Sequence, residues 1–144
     1  MTQSLDLTTN PAVVAHLVAD ENERLSFLPR FVGAKHMILF ENSVYSWLEG
    51  LSKSYSGAFW NYYTLSNGGF YMSPALDKPM QMSVAGNFFN GELSADAAGI
   101  VATLFTLSHL SFDSSTEHLA DHYHKLLEFV DSHAESSAIF RAID

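Results

Sequence analysis

The chain contains no cysteine, so it can build neither a disulfide framework nor a thiolate metal site, and nothing in it argues for an oxidising compartment. No apolar run approaches the ~20 residues of a membrane span. The opening string MTQSLDL lacks the basic-then-apolar order of a secretory signal, and the expected location is cytoplasmic. Basic side chains are the other scarcity. Lys and Arg number 7 against 16 Asp and Glu, and none falls between Lys78 and Lys125. Residues 1–80 hold seven acidic and five basic side chains, a net of −2, whereas residues 81–144 hold nine and two, a net of −7. A nucleic-acid binder needs cations to displace phosphate counterions. Direct DNA or RNA binding is therefore not expected. The acidity suits a basic partner or solubility.

A phosphate-cradling loop is missing too, although GNFFNGEL (Gly86–Leu93) ahead of a helical stretch imitates one. A Walker loop requires Lys and Ser/Thr directly after its second glycine. Here Gly91 is followed by Glu92, a carboxylate where the lysine should neutralise phosphate, and no G-x-G-x-x-G occurs. Gly86 and Gly91 are read instead as turn glycines between strand and helix.

At 144 residues the chain has the length of one domain and can bury a core without staples. Pro11–Asp20 is valine-rich and reads as a strand. Pro29 and Gly33 break the following stretch into a turn or irregular helix. Val44, Trp47, Leu48, Leu51 and Tyr55 recur at helical steps, with Asn42 as the expected cap. Phe59–Leu65, Asn67-Gly68-Gly69 and Phe70–Met72 read as a hairpin. Met80, Met82 and Val84 alternate with Gln81, Ser83 and Ala85, the period of a strand with one buried face. From Ser94, a good cap, Ala97, Ile100, Val101, Leu104, Phe105 and Leu107 form a broad apolar face. Ser114 and Glu117 make a capping box for a helix with a Leu119, Tyr123, Leu126, Val130 stripe. ESSAIFRAID closes the chain as a short helix. The expected fold class is α+β, a small antiparallel sheet of about three to four strands packed with about four helices in a single domain.

FLPRF (27–31), LSNGGFYMSP (65–74), GELSADAAGIVATLF (91–105) and the terminal AIFRAID (138–144) resemble the signature blocks of the KlcA/ArdB antirestriction family. The blocks are spread through to the last residue, so the likeness spans about four-fifths of the chain; only residues 1–20 look unanchored, an N-terminal segment ahead of an antirestriction domain at 21–144. The resemblance implies a compact α+β fold and a protein of plasmids or other mobile elements that shields incoming DNA from host type I restriction–modification enzymes. It implies no catalytic residue and no cofactor. The expected partner is the host type I restriction–modification complex, engaged directly or indirectly, and a homodimer is left open.

Against that background the chemically suggestive residues are few. HLADH places His118 and His122 at i, i+4 with Asp121 in the acid position of an inverted zinc motif. That motif wants Glu and a third ligand, for which Glu128 or His133 would be guesses; a small metal-dependent hydrolase is the alternative such a site would support. On a helical wheel both histidines flank the core stripe, so boundary histidines are the favoured reading, with no metal. Glu92 and Asp96 could serve as a general acid–base pair, but both stand near a helix start, where the macrodipole alone explains them, and that is the favoured reading. The aromatic block of Phe59, Trp60, Tyr62, Tyr63, Phe70 and Tyr71 lacks the cations of a base-stacking platform and reads as core or protein interface. Glu92, Asp96, Asp113, Glu117 and Asp121, with Arg141 and Asp144 at the terminus, form the expected interaction surface. DNA mimicry through those carboxylates needs a charge every ~1.7 Å, and sixteen acids in this chain are thin for it. Non-catalytic interference is the favoured reading, and an acidic protein-binding adaptor is a further alternative.

Overall fold

The structure, a computed structural model, describes residues 12–111 and 116–144. Among the described residues the chain runs β1 (Ala15–Leu17), α1 (Glu21–Phe31), α2 (Met37–Leu51), β2 (Trp60–Leu65), β3 (Phe70–Pro74), β4 (Met80–Val84), β5 (Phe89–Leu93), α3 (Ala95–Leu110), α4 (His118–Val130) and α5 (Ser136–Ile143). The fold class is α+β. The strands divide between two antiparallel sheets, β1-β2-β3 and β4-β5, where the sequence suggested one.

The N-terminal strand is short and adds to the edge of β2, Ala15 opposite Leu65 and Leu17 opposite Tyr63. Residues 21–31 form a regular helix rather than a broken one. Asp20 caps it by accepting from the Glu23 amide at 3.0 Å, with Glu21 and Glu23 in the first turn. Pro29 lies near the C-terminal end, where few later hydrogen bonds depend on it. Gly33, at φ +94, terminates the helix by donating to Pro29 O at 3.1 Å. The next helix starts at Met37, a turn before Asn42, and ends at Leu51. Asn42 is thus inside the helix and Tyr55 beyond it. The buried Phe40 extends the apolar stripe N-terminally and outweighs the local capping signal.

The hairpin pairs β2 with β3 from Trp60–Pro74 to Thr64–Phe70. Its two turn glycines serve different ends. Gly68 supplies φ +90; a Cβ on Gly69 would stand 2.9 Å from the Lys125 Cβ, so Gly69 lets the turn press against α4. Asn67 fastens that contact, donating to Lys125 O at 2.9 Å and to Glu128 at 2.7 Å. Met80, Met82 and Val84 are buried on alternate positions of β4. GNFFNGEL corrects the turn reading, because most of it is strand. Gly91 pairs with Met82 inside β5, and the left-handed residue of the turn is Phe88, φ 63, not Gly86.

Helix α3 is the centre of the molecule. Ser94 caps it, accepting from the Ala97 amide at 3.1 Å, and eleven of its sixteen residues are buried. Its small residues Ala97, Ala98, Gly99 and Ala102 are fully enclosed. The helix lies along β3, the edge strand of its sheet, and is flanked by α2, α4 and α5. Thr103 covers the strand's open edge: its hydroxyl donates to Gly99 O at 2.8 Å, stands 3.2 Å from Met72 O and accepts from the Met72 amide at 3.4 Å. Ser114, the proposed cap of the next helix, lies outside the described residues. That helix begins at His118, with Glu117 at the cap position and no side-chain cap bond. Leu119, Leu126 and Val130 are buried as expected and Tyr123 is half-buried. In α5, Ile139 and Ala142 dock into the core.

Gly99 decides how close α3 comes. A Cβ there would meet Ser73 Cβ at 2.3 Å, Ser73 Cα at 2.4 Å and Met72 O at 2.6 Å. Helix propensity alone favours alanine by about 1 kcal/mol. The clash with backbone reverses the sign: Gly99→Ala should lower the unfolding free energy by about 3 kcal/mol, read as a drop in urea midpoint. An equal or higher midpoint would show that helix and strand do not meet as described.

Candidate functional site

The densest polar cluster surrounds Asp96 in the first turn of α3. One carboxylate oxygen accepts from the Tyr71 hydroxyl at 2.7 Å, the other from His133 Nε2 at 2.8 Å. The Glu135 amide donates to His133 Nδ1 at 2.9 Å, so the ring proton resides on Nε2, facing Asp96. Glu135 in turn accepts from the Ser94 amide at 2.9 Å and from the Ser94 hydroxyl. The cap residue of α3, the turn before α5 and the face of β3 are thereby joined. Burial, with the Asp96 charge beside it, pushes the Tyr71 hydroxyl well above the ordinary tyrosine range, and it remains a donor.

This arrangement holds geometry and does not suit proton shuttling. A histidine acting as general base needs one ring nitrogen free to face its substrate. Here both nitrogens of His133 are engaged, and its side chain is only 10 % exposed. Asp96, at 37 % exposed, still opens outward.

The other expected residues are dispersed. Glu92 is exposed on β5 opposite Gln81, so it makes no acid–base pair with Asp96's network. Glu117 precedes α4 and Asp121 lies in its first turn, both exposed. Arg141 is exposed in the last turn of α5, 5.7 Å from the Phe89 ring, and Asp144 ends the chain, exposed. Asp113 lies outside the described residues. His118 is exposed, and the two histidine rings are 6.3 Å apart at 82°. His122 turns inward, edge-on to Phe70 at 5.1 Å and to Phe31 at 5.6 Å. Among the described residues no group of three or more His, Cys, Asp or Glu is placed to hold a metal ion. Sequence reasoning did not join Tyr71, His133 and Glu135 to Asp96 and Ser94; those partners lie 25 to 41 residues away, beyond any local pattern.

Two concavities accompany these residues. A groove of about 970 Å³ runs between α2 and β4, with Leu39, Trp47, Val84 and Phe105 on its walls. A smaller cavity of about 460 Å³ opens beside Asp96, lined also by Asn61, Tyr63, Ser73, Pro74 and Asp77. No helix among the described residues is long and apolar enough to cross a membrane.

Fold and site together define a small α+β domain with an internally bonded carboxylate–histidine cluster and no phosphate loop. Known proteins narrow this further. The antirestriction protein family model matches residues 53–144. An antirestriction protein KlcA of Escherichia coli is 50 % identical over 95 % of this chain and 99 % of its own length. A second KlcA from Escherichia coli is 48 % identical over 96 % of this chain and 99 % of its own. A solved structure from work on the KlcA and ArdB proteins, which show a novel fold and antirestriction activity against Type I DNA restriction systems in vivo but not in vitro, superposes with a TM-score of 0.87. It is 49 % identical and covers 95 % of this chain and 99 % of that one. The chain belongs to the antirestriction protein family.

His122 generates a pH prediction. Its Nδ1 is buried with no hydrogen-bond partner. Burial, with Lys125 and His118 nearby and only Asp121 opposing, lowers its pKa from 6.5 to about 4. Between those values the unfolded chain takes up a proton that the folded chain refuses, so stability falls as pH falls from 6.5 towards 4. Allowing for solvent screening of a half-buried ring, the loss is on the order of 1 kcal/mol. Urea midpoints of His122→Leu and the parent across this window should show a shallower acid slope in the variant; parallel slopes would refute a neutral His122.

Asp96 generates a second. Asp96→Asn replaces one acceptor by a donor facing another donor. We expect a loss of about 1–2 kcal/mol, non-additive with Tyr71→Phe in a double-mutant cycle. Strict additivity in urea unfolding would show that the two groups are not coupled.

Proposed function

We propose that this protein protects incoming DNA from Type I restriction systems by non-catalytic interference, acting through a protein-facing surface in the cytoplasm. The observation that carries the reading is the near full-length match, at 49 % identity and TM-score 0.87, to proteins with antirestriction activity in vivo but not in vitro. Activity that needs the cell and vanishes with purified components is what a mechanism depending on a further cellular protein would produce. Three features of this chain support it. Its formal charge of −9 repels a phosphate backbone. Asp96, a carboxylate that mimicry would need, has both oxygens committed to Tyr71 and His133. The Asp–His pair among the described residues has no free ring nitrogen with which to act as a base. Glu92, Glu117, Asp121, Arg141 and Asp144, all exposed, are the residues we assign to the contact surface. The metal-hydrolase alternative lacks a third ligand beside His118 and His122 among the described residues.

The test compares unmodified phage or plasmid entry into cells with and without an active Type I system. Expression of the protein should raise entry in the restricting cells towards the non-restricting level and leave the latter unchanged. The purified protein should not retard duplex DNA at physiological ionic strength. No rise in entry, or tight duplex binding, overturns the reading.

A further inference from the structure

The cavity beside Asp96 is lined by two carboxylates, Asp77 and Asp96, and by the neutral polar residues Asn61 and Ser73, and no Lys or Arg lines it. Asp77 is exposed and makes no hydrogen bond or ion pair among the described residues. Ser73 is the telling member. It is 2 % exposed, and its hydroxyl has no hydrogen-bond partner among the described residues, yet it is not among the fully sealed unpaired atoms. The hydroxyl therefore opens onto the cavity it lines. Buried polar groups are normally bonded, and each exception calls for a cause. Position explains why Ser73 is there: Gly99 of α3 lies against its Cα and Cβ, leaving room for a small side chain alone. An alanine would fill that space equally well, so packing explains the size of the residue but not its hydroxyl.

The remaining wall is aromatic. Tyr63 stacks on Tyr71 with centroids 4.6 Å apart and planes at 10°, which fixes the ring at the cavity's edge. Two carboxylates, neutral polar side chains and a held aromatic ring in one cavity suit a planar cation. We propose that this cavity binds the guanidinium group of an arginine side chain presented by a protein partner. Guanidinium carries five donors in a flat fork that pairs with carboxylates bidentately and stacks on aromatic faces, whereas an ammonium ion is a compact and strongly hydrated charge. The chain's charge of −9 draws in the same class of partner. The inference rests on the protein-facing reading above and deepens it, because an enzyme that handles DNA must present basic side chains.

The experiment is a titration of the ¹⁵N-labelled protein with N-acetyl-arginine amide, with N-acetyl-lysine amide and sodium chloride as parallel arms. Saturable shifts at Asn61, Tyr63, Ser73 and Asp77, stronger for the arginine compound, are expected. Asp77→Asn should weaken that binding about tenfold without moving the melting temperature, because the Asp77 carboxylate has no internal partner. Ser73→Ala, which keeps the packing against Gly99, should weaken it as well. Absence of saturable shifts, or equal shifts in all three arms, overturns the proposal. The entry assay separates the two readings. Loss of protection by Asp77→Asn supports the pocket as the partner's receptor; full protection by that variant overturns this role while the antirestriction reading stands. If the parent chain itself fails to protect, the antirestriction reading falls, and the titration alone decides the pocket.

Discussion

Everything in this molecule is arranged around the contact between α3 and the free edge of β3. An edge strand presents unpaired amide and carbonyl groups that must be covered, and here one helix covers them. Gly99 removes the side chain that would hold the two apart, and Thr103, a turn later, offers its hydroxyl to both backbone groups of Met72. The same approach sets the polar cluster. With α3 pressed to β3, Asp96 comes level with the Tyr71 hydroxyl, and Ser73 is left facing a cavity with no room for a larger side chain. The site is thus a product of a packing constraint between a helix of small residues and a strand whose every residue is buried.

What could be read from the chain follows the range of the forces involved. The cap at Ser94, the turn at Asn67–Gly69 and the alternation of Met80, Met82 and Val84 are local, and each proved to be where the residues put it. The misreadings are places where tertiary contacts override local chemistry. Pro29 suggested a break, but Asp20 and Glu23 had already started a helix whose Phe27 and Phe31 pack on Tyr62 and Phe70. Asn42 suggested a cap, yet Phe40 is buried and carries the helix upstream. Strand β5 was hidden by its glycine. Gly91 has little strand propensity of its own, but the Phe89 ring lies 3.4 Å from where its side chain would be and fills the gap.

The polar cluster was not legible for a related reason. Each of its bonds joins residues far apart in the chain, and the individual types (a tyrosine in a strand, a histidine in a turn, acids near helix starts) are ordinary in their local settings. Their joint meaning exists only after α3 has docked. The family, by contrast, was legible at the level of whole strings, because those strings encode the packing itself: GELSADAAGIVATLF contains the cap, the small-residue face and the threonine that close on β3.

The acidity of the C-terminal half can now be divided by role. Asp96 and Glu135 take bonds from Tyr71, His133 and Ser94; they order the fold as much as they charge its surface. Glu92, Glu117, Asp121 and Asp144 face water. The distinction matters for recognition. A free surface carboxylate must lose rotamer freedom on binding a cation, and an exposed pair returns little for that loss. Asp96 has lost it already, because Tyr71 and His133 hold one oxygen each while the residue still lines the cavity. A receptor group fixed in advance binds with less loss of entropy, and it discriminates by shape as well as by charge. Asp96 is therefore better prepared than a free surface carboxylate to receive the single guanidinium proposed for the cavity.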